Sequence, residues 1–306
     1  MVGIFYFRSH RTATRLTEVD AIVLSDFDNK TGDEVFDDTM KQGLLVQLEQ
    51  SPFLDLVSER KVIETLKLMD RSGSDRLTPE LAREVCQRTG SKVMVTGSIA
   101  KLGSQYVVGL VAVSCNSGDV LAVAQEQAAG KETVLKALDV AASGLRRKLV
   151  ESLSSVQKYA TPVEEATTPS LEALKEYTLG QKTRFAKGEN AALPFYKRAV
   201  ELDPNFAMPY RNMSVSYANL NETARATENA HEAYVRREKV SERERFTIQA
   251  NYYILATGEL EKAAQTYELW QQTYTRDFLP YANLAFHLLS NWKPGKRIGE
   301  CARPTM

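Results

Sequence analysis

Short apolar runs alternate with amphipathic stretches over the first half of the chain, and amphipathic stretches alone fill the second. Ala21-Ile22-Val23-Leu24-Ser25-Asp26-Phe27 is an apolar run bounded by turn residues, the pattern of a buried strand. Asp28 to Asp33 reads as a polar loop, with Asp37 or Asp38 as cap of a helix that carries Met40, Leu44, Leu45 and Leu48 on one face. Ser51-Pro52 stops that helix, because a residue before proline is pushed out of helical conformation. Phe53 to Val57 predicts a second strand, and Ser58 caps a helix with Val62, Ile63, Leu66 and Met69. Thr78-Pro79-Glu80-Leu81 starts another, with a cap followed by proline at the first helical position; its face is Leu81, Ala82, Val85 and Cys86, and Gly90 suits its exit.

Val93 to Ala100, Tyr106 to Val113 and Val120 to Gln127 are β-rich runs joined by short Gly-containing links, which predicts an antiparallel meander. A long amphipathic helix from Lys131 to about Gln157 follows, with Val134, Leu138, Ala141, Leu145, Leu149 and Leu153 as its stripe. Lys158 to Ser170 has Pro, Thr and charge without apolar periodicity and reads as a linker. Beyond it the pattern is helical only, until Lys293-Pro294-Gly295-Lys296 breaks it. The expected fold class is an α+β domain, a mixed sheet with helices, followed by an all-α array. The expected units are a tail (1–19), the α/β domain (20–157), the linker (158–170), the helical array (171–292) and an irregular end (293–306).

Equal numbers of basic and acidic residues, 39 each, give a net charge of zero and argue against a nucleic-acid partner. Cys86, Cys115 and Cys301 are widely spaced; the spacing offers neither metal ligands nor a disulfide framework, so each is expected as a buried or incidental thiol. Val2 to Phe7 is apolar and aromatic, and Arg8, His10, Arg11 and Arg15 follow it, a membrane-flank pattern too short for a signal peptide.

Asp26, Asp28 and Asp33 cluster at the carboxyl end of the first strand, where α/β sheets often bind ligands and where carboxylates can hold a cation. Asx and Gly residues are also what a tight turn needs, and the turn is the stronger expectation. There is no phosphate-binding Gly-rich loop and no dinucleotide fingerprint, so no cofactor is expected. His10, His231 and His287 have no partners at ligand or triad spacing. No catalytic or metal residue is assigned, and an enzyme is not expected.

Counting from Ala173, Leu179, Gly180, Ala192, Tyr196, Ala199 and Pro204 fall in the order and spacing of the ~34-residue tetratricopeptide repeat, with small residues where two helices approach and large ones filling the space between. The second repeat, from Ala207, offers Tyr210, Met213, Ser214, Tyr217, Ala226 and Ala233. The third starts at about Glu244 after an insertion at Lys239-Val240-Ser241 and carries Tyr267 and Trp270. A partial fourth begins near Phe278. The segment therefore resembles a tetratricopeptide array of three full repeats and one partial. A chain cut short, and a face covered by the tail, by another chain as in a homodimer, or by nothing, are the expectations for its end. In that family the concave groove is lined by one helix of each pair, which implies Tyr177, Gln181, Arg184, Arg211, Val215, Asn219, Ile248 and Tyr252 as partner-binding residues here.

The first domain, with Asp26-Phe27-Asp28-Asn29-Lys30-Thr31-Gly32-Asp33, Thr89 to Ser98 and Asn116-Ser117-Gly118-Asp119-Val120-Leu121, resembles the N-terminal domain of TolB. Together with the repeats it resembles the C-terminal half of bacterial membrane-anchored Ser/Thr protein kinases. The kinase motifs themselves are missing, so kinase activity does not carry over. The resemblance implies a sensor or interaction module with a protein or peptide partner, a membrane anchor upstream of residue 1, and an extracytoplasmic soluble part if that anchor exists. The alternatives are a small-ligand or enzymatic site around Asp26, Asp28, Asn29 and Thr31, an accessory part of a kinase signalling system, or a purely structural assembly factor.

Overall fold

In the computed structural model the residues described are 21–73 and 75–290. The apolar N-terminal stretch, the Lys293–Lys296 break and Cys301 lie outside them. An N-terminal mixed sheet packed with helices is followed by an all-α region. Strand β1 (Ala21–Leu24) and strand β2 (Asp28–Lys30) lie in succession along one edge of β4 (Val93–Leu102), both parallel to it. The single strand expected to Phe27 is thus interrupted, and part of the expected polar loop is strand. The interruption lets the buried ring of Phe27 occupy the space that a side chain at Gly97 would take. Strand β3 (Asp55–Leu56) flanks β1 on the other side. Strands β4, β5 (Gln105–Ser114) and β6 (Val120–Ala128) form the antiparallel meander. Leu102 pairs with Gln105, so Gly103 and Ser104 make the whole loop, and Gly103 takes the left-handed φ of +64° that this tight hairpin requires.

Helix α1 (Phe36–Glu49) begins without a side-chain cap at Val35; Asp33 accepts from the Val35 amide instead, and Asp37 and Asp38 fall within the first turn. Helices α2 (Glu59–Leu68) and α3 (Pro79–Arg88) start at Ser58 and Thr78, whose side chains accept from Lys61 and Leu81 amides. Both pack on one face of the sheet around Val23, Met94 and Cys115. Cys86 of α3 and Cys115 beyond β5 form a disulfide across this small core. This corrects the expectation of separate thiols: the two cysteines are 29 residues apart in sequence, but the fold lays α3 beside the end of β5.

Helix α4 (Val134–Leu149) covers the opposite face with Leu135, Leu138, Ala141, Ala142 and Leu145. The continuous helix expected to Gln157 breaks at Val150, and Ser152 caps a new helix, α5 (Leu153–Tyr159). The break folds Glu151 back onto Arg146, which donates to both of its oxygens at 2.9 Å and to the Gln47 carbonyl, all inside the core.

The stretch read as a linker is packed. Its short helix α6 (Val163–Ala166) buries Val163 and Ala166, while Gln47 of α1 and Gln50 at its C-cap clasp the backbone of Thr161. Helical pairs follow: α7 (Leu171–Lys187) with α8 (Glu189–Leu202), α9 (Ala207–Asn219) with α10 (Thr223–Val235), and α11 (Glu242–Tyr252) with α12 (Leu260–Thr273), before α13 (Phe278–Ser290). Buried Ala192, Ala199, Ala226, Ala230, Ala233 and Ala263 permit the close approach within pairs. A π-helical turn, Tyr253–Thr257, joins α11 to the next helix. Among the described residues no helix is long and apolar enough to cross a membrane.

Candidate functional site

The aspartates in and around β2, Asp26, Asp28 and Asp33, are occupied structurally. Asp26 lies 2.6 Å from Lys41 and accepts from the Leu77 amide; burial raises its carboxyl, but Lys41 and that amide outweigh it and hold it below the ordinary value. Asp33 is paired with Lys131 at 2.8 Å, and Asp28 with Lys30 at 2.8 Å. Asn29 accepts from both the amide and the hydroxyl of Thr31 and donates to the Asp33 carbonyl. These are the bonds of a tight turn fastened by lysines. No group of three or more His, Cys, Asp and Glu among the described residues is placed to hold a metal.

The helical region opens a solvent-facing cleft of about 320 Å³ between α9, α11, α12 and α13. Arg211 and Val215 line it from α9, Thr247 and Asn251 from α11, and Tyr267 and Trp270 from α12. Ile254 and Leu255 come from the π turn, an irregularity that often accompanies functional sites. Asn251 donates to Ser214 at 2.6 Å, tying α11 to α9 beneath the cleft.

Arg211 is the chemical centre. One Nη donates to Asn212 at 3.2 Å, while the buried Nε has no partner. No described carboxylate lies within ion-pair distance of it, whereas most of the described arginines have one. Burial lowers its guanidinium from the ordinary value, although the nearby phenols of Tyr177 and Tyr267 oppose that. Glu189, at the start of α8, accepts from Ser216 (2.6 Å), Asn219 (2.7 Å) and Arg184 (3.2 Å); burial raises this carboxyl, but those three donors outweigh it and hold it low.

Of the residues expected in a groove, Arg211, Val215 and Asn219 line this cleft, and Arg184 reaches Asn219 through Glu189. Gln181 is half-buried on α7 and not part of the lining. Tyr177 is a core residue, packed on Phe206 at 5.0 Å and on Tyr196, with its hydroxyl accepting from Asn212. Ile248 is fully buried against Ala207, Ala233 and Val240. Tyr252 stacks on Tyr234 at 3.9 Å, away from the cleft. The lining residues of α11, Thr247 and Asn251, each stand one position before Ile248 and Tyr252. A slip of one residue turns a helix face by about 100°. The lining is the one that a repeat counted from Arg243 rather than Glu244 gives.

A second feature joins the two regions. Arg243, at the start of α11, donates to Glu49 of α1 at 2.8 Å and to Asp277 at 2.6 Å. Asp277 also accepts from the Trp270 indole at 3.0 Å, and the Arg243 guanidinium lies 5.7 Å from that ring. Burial alone would lower the Arg243 guanidinium; the two carboxylates outweigh it and hold it raised. Nearby, Arg276 donates to the Phe53 carbonyl at 2.6 Å.

No protein-family model and no curated protein matches the chain. Solved structures with some likeness include the LpoB C-terminal domain from Salmonella enterica, 14% identical with a TM-score of 0.34, over 37% of this chain and 84% of that one. Lipoprotein GNA1162 from Neisseria meningitidis is 15% identical with a TM-score of 0.30, over 35% and 78%. PelC from Paraburkholderia phytofirmans, described as a dodecamer, is 11% identical with a TM-score of 0.32, over 45% and 93%. At these scores no role is read across from any of them.

Proposed function

We propose that the chain is a non-enzymatic interaction module that takes a carboxylate-bearing, extended peptide segment of a protein partner in the cleft around Arg211. The observation that carries this reading is the guanidinium itself. Its Nε is buried and unpaired, no described carboxylate lies within ion-pair distance of it, and it faces a cleft with an aromatic floor and amide-bearing walls. A buried donor left without an acceptor costs on the order of 1–3 kcal/mol, and the unpaired guanidinium charge at the cleft offers an incoming carboxylate a charge-assisted bond. The succession of helical pairs with alanines at their close approaches supports the tetratricopeptide reading of the array. The lysine-bound aspartates in and around β2 lend no comparable support to a catalytic site there.

Selection of a random peptide display library on the full chain, beside Arg211→Met, tests the reading. Sequences enriched in Asp, Glu or a free C-terminus on the parent and lost on the variant are the expected result. The same peptides on both proteins, or none with an acidic group, would sink it.

A further inference from the structure

We infer that Arg243 is a positioning residue for the cleft: held by Glu49 of the α/β domain, it sets the pose of Trp270 through Asp277, so that the sheet-bearing half of the chain governs the floor of the binding site. The inference rests on the reading of the cleft given above.

The path is short and continuous. Glu49 is the last residue of α1, and Arg243 is the second residue of α11. The guanidinium offers Nη1 to Glu49 and Nε to Asp277, so its plane is fixed by two carboxylates on different elements. The same Asp277 oxygen that accepts from Arg243 also accepts from the Trp270 indole. The indole is 1% exposed and lines the cleft beside Tyr267. With Glu49 neutralised, Asp277 becomes the single charged acceptor for Arg243. The guanidinium is then free to rotate, and both the cation beside the indole and the acceptor of its N–H shift together. A fork held at both tines is more than a staple needs, since Arg276 already joins the same two regions through the Phe53 carbonyl without touching Trp270.

That second contact provides the control. The chain has two tryptophans, so in a Trp292→Phe background all indole emission comes from Trp270. In that background Glu49→Gln should shift the emission to the red and increase quenching by iodide. Glu49→Asp should restore much of the parent signal, and Arg276→Gln should leave it unchanged even where its melting temperature falls. Emission in Glu49→Gln identical to the parent, or an equal shift in Arg276→Gln, would overturn the inference and leave Arg243 as a fastening alone. This arm needs no ligand, so it decides the coupling even if the cleft takes no peptide. With a peptide selected on the parent, Glu49→Gln should weaken its affinity several-fold and Arg276→Gln should not; unchanged affinity in Glu49→Gln would equally count against the coupling.

Discussion

Gly180 of α7 lies beneath the ring of Tyr196 of α8: a Cβ at position 180 would stand 2.6 Å from ring atom Cε1. The tyrosine is fully buried, packed beside Tyr177, and has no room to retreat. Alanine would gain up to about 1 kcal/mol of helix propensity, but overpacking a fixed core costs about 1–3 kcal/mol. Gly180→Ala should therefore lower stability in urea titration. Adding Tyr196→Leu should relieve part of that loss, and strictly additive effects would contradict the steric account.

Arg211 should show the opposite sign. Its buried Nε is unsatisfied and its charge unpaired, so the side chain is a burden on the folded state. Arg211→Met, close in length and apolar, should leave the melting temperature unchanged or raise stability by about 1 kcal/mol while abolishing peptide capture. A fall in stability comparable to that of a core deletion would show that the arginine serves packing.

The Cys86–Cys115 bridge ties α3 to the sheet across 29 residues of chain. Cys86→Ser or reduction should cost about 3 kcal/mol. Mass spectrometry after alkylation checks the pairing directly: in native protein neither cysteine should label until a reductant is added.

Glu244 predicts a pH effect. Burial above all pushes its carboxyl from the ordinary 4.5 up to about 7, despite the bonds it accepts from Ser241. Between those values the folded chain keeps a proton that the unfolded chain has lost. Stability is then highest below the unfolded value and falls as pH rises toward 7, by at most about 1.4 kcal/mol per pH unit. Asp139, pushed up to about 6 chiefly by burial, acts in the same direction. Glu244→Gln keeps an acceptor for Ser241 and removes the titration. Its melting temperature should exceed the parent's at about pH 8 and match it at about pH 4, and equal differences at both would refute the assignment.

The elements that local pattern governs were legible in the chain. Ser58 and Thr78 announce their helices, and Gly103 announces its hairpin, because caps and tight turns are decided within a few residues. Contacts made at long range were not. Nothing near Arg146 indicates that Glu151 will fold back on it, nor does spacing bring Cys86 to Cys115. Val163 and Ala166 make one apolar turn, too short for periodicity to register, yet they seal the junction below α1. Within the cleft, Arg211, Val215 and Asn219 are among the residues that the tetratricopeptide resemblance implies. Thr247 and Asn251 were missed because the insertion at Lys239-Val240-Ser241 leaves the repeat register uncertain by a residue, and Ile254 and Leu255 because a π turn leaves no mark in hydrophobic pattern.

The return of Arg243 and Arg276 to Glu49 and Phe53 has a consequence for how the array comes apart. Stacked helical pairs contact only their neighbours and ordinarily fray from the outermost pair inward. Here the third pair is anchored to α1 as well as to the pair before it, so the contacts close into a loop with no loose end at that point. Unfolding should then be one cooperative event in which α11 and α12 melt together with the sheet, and amide exchange along them should match that of the sheet-bearing half rather than exceed it.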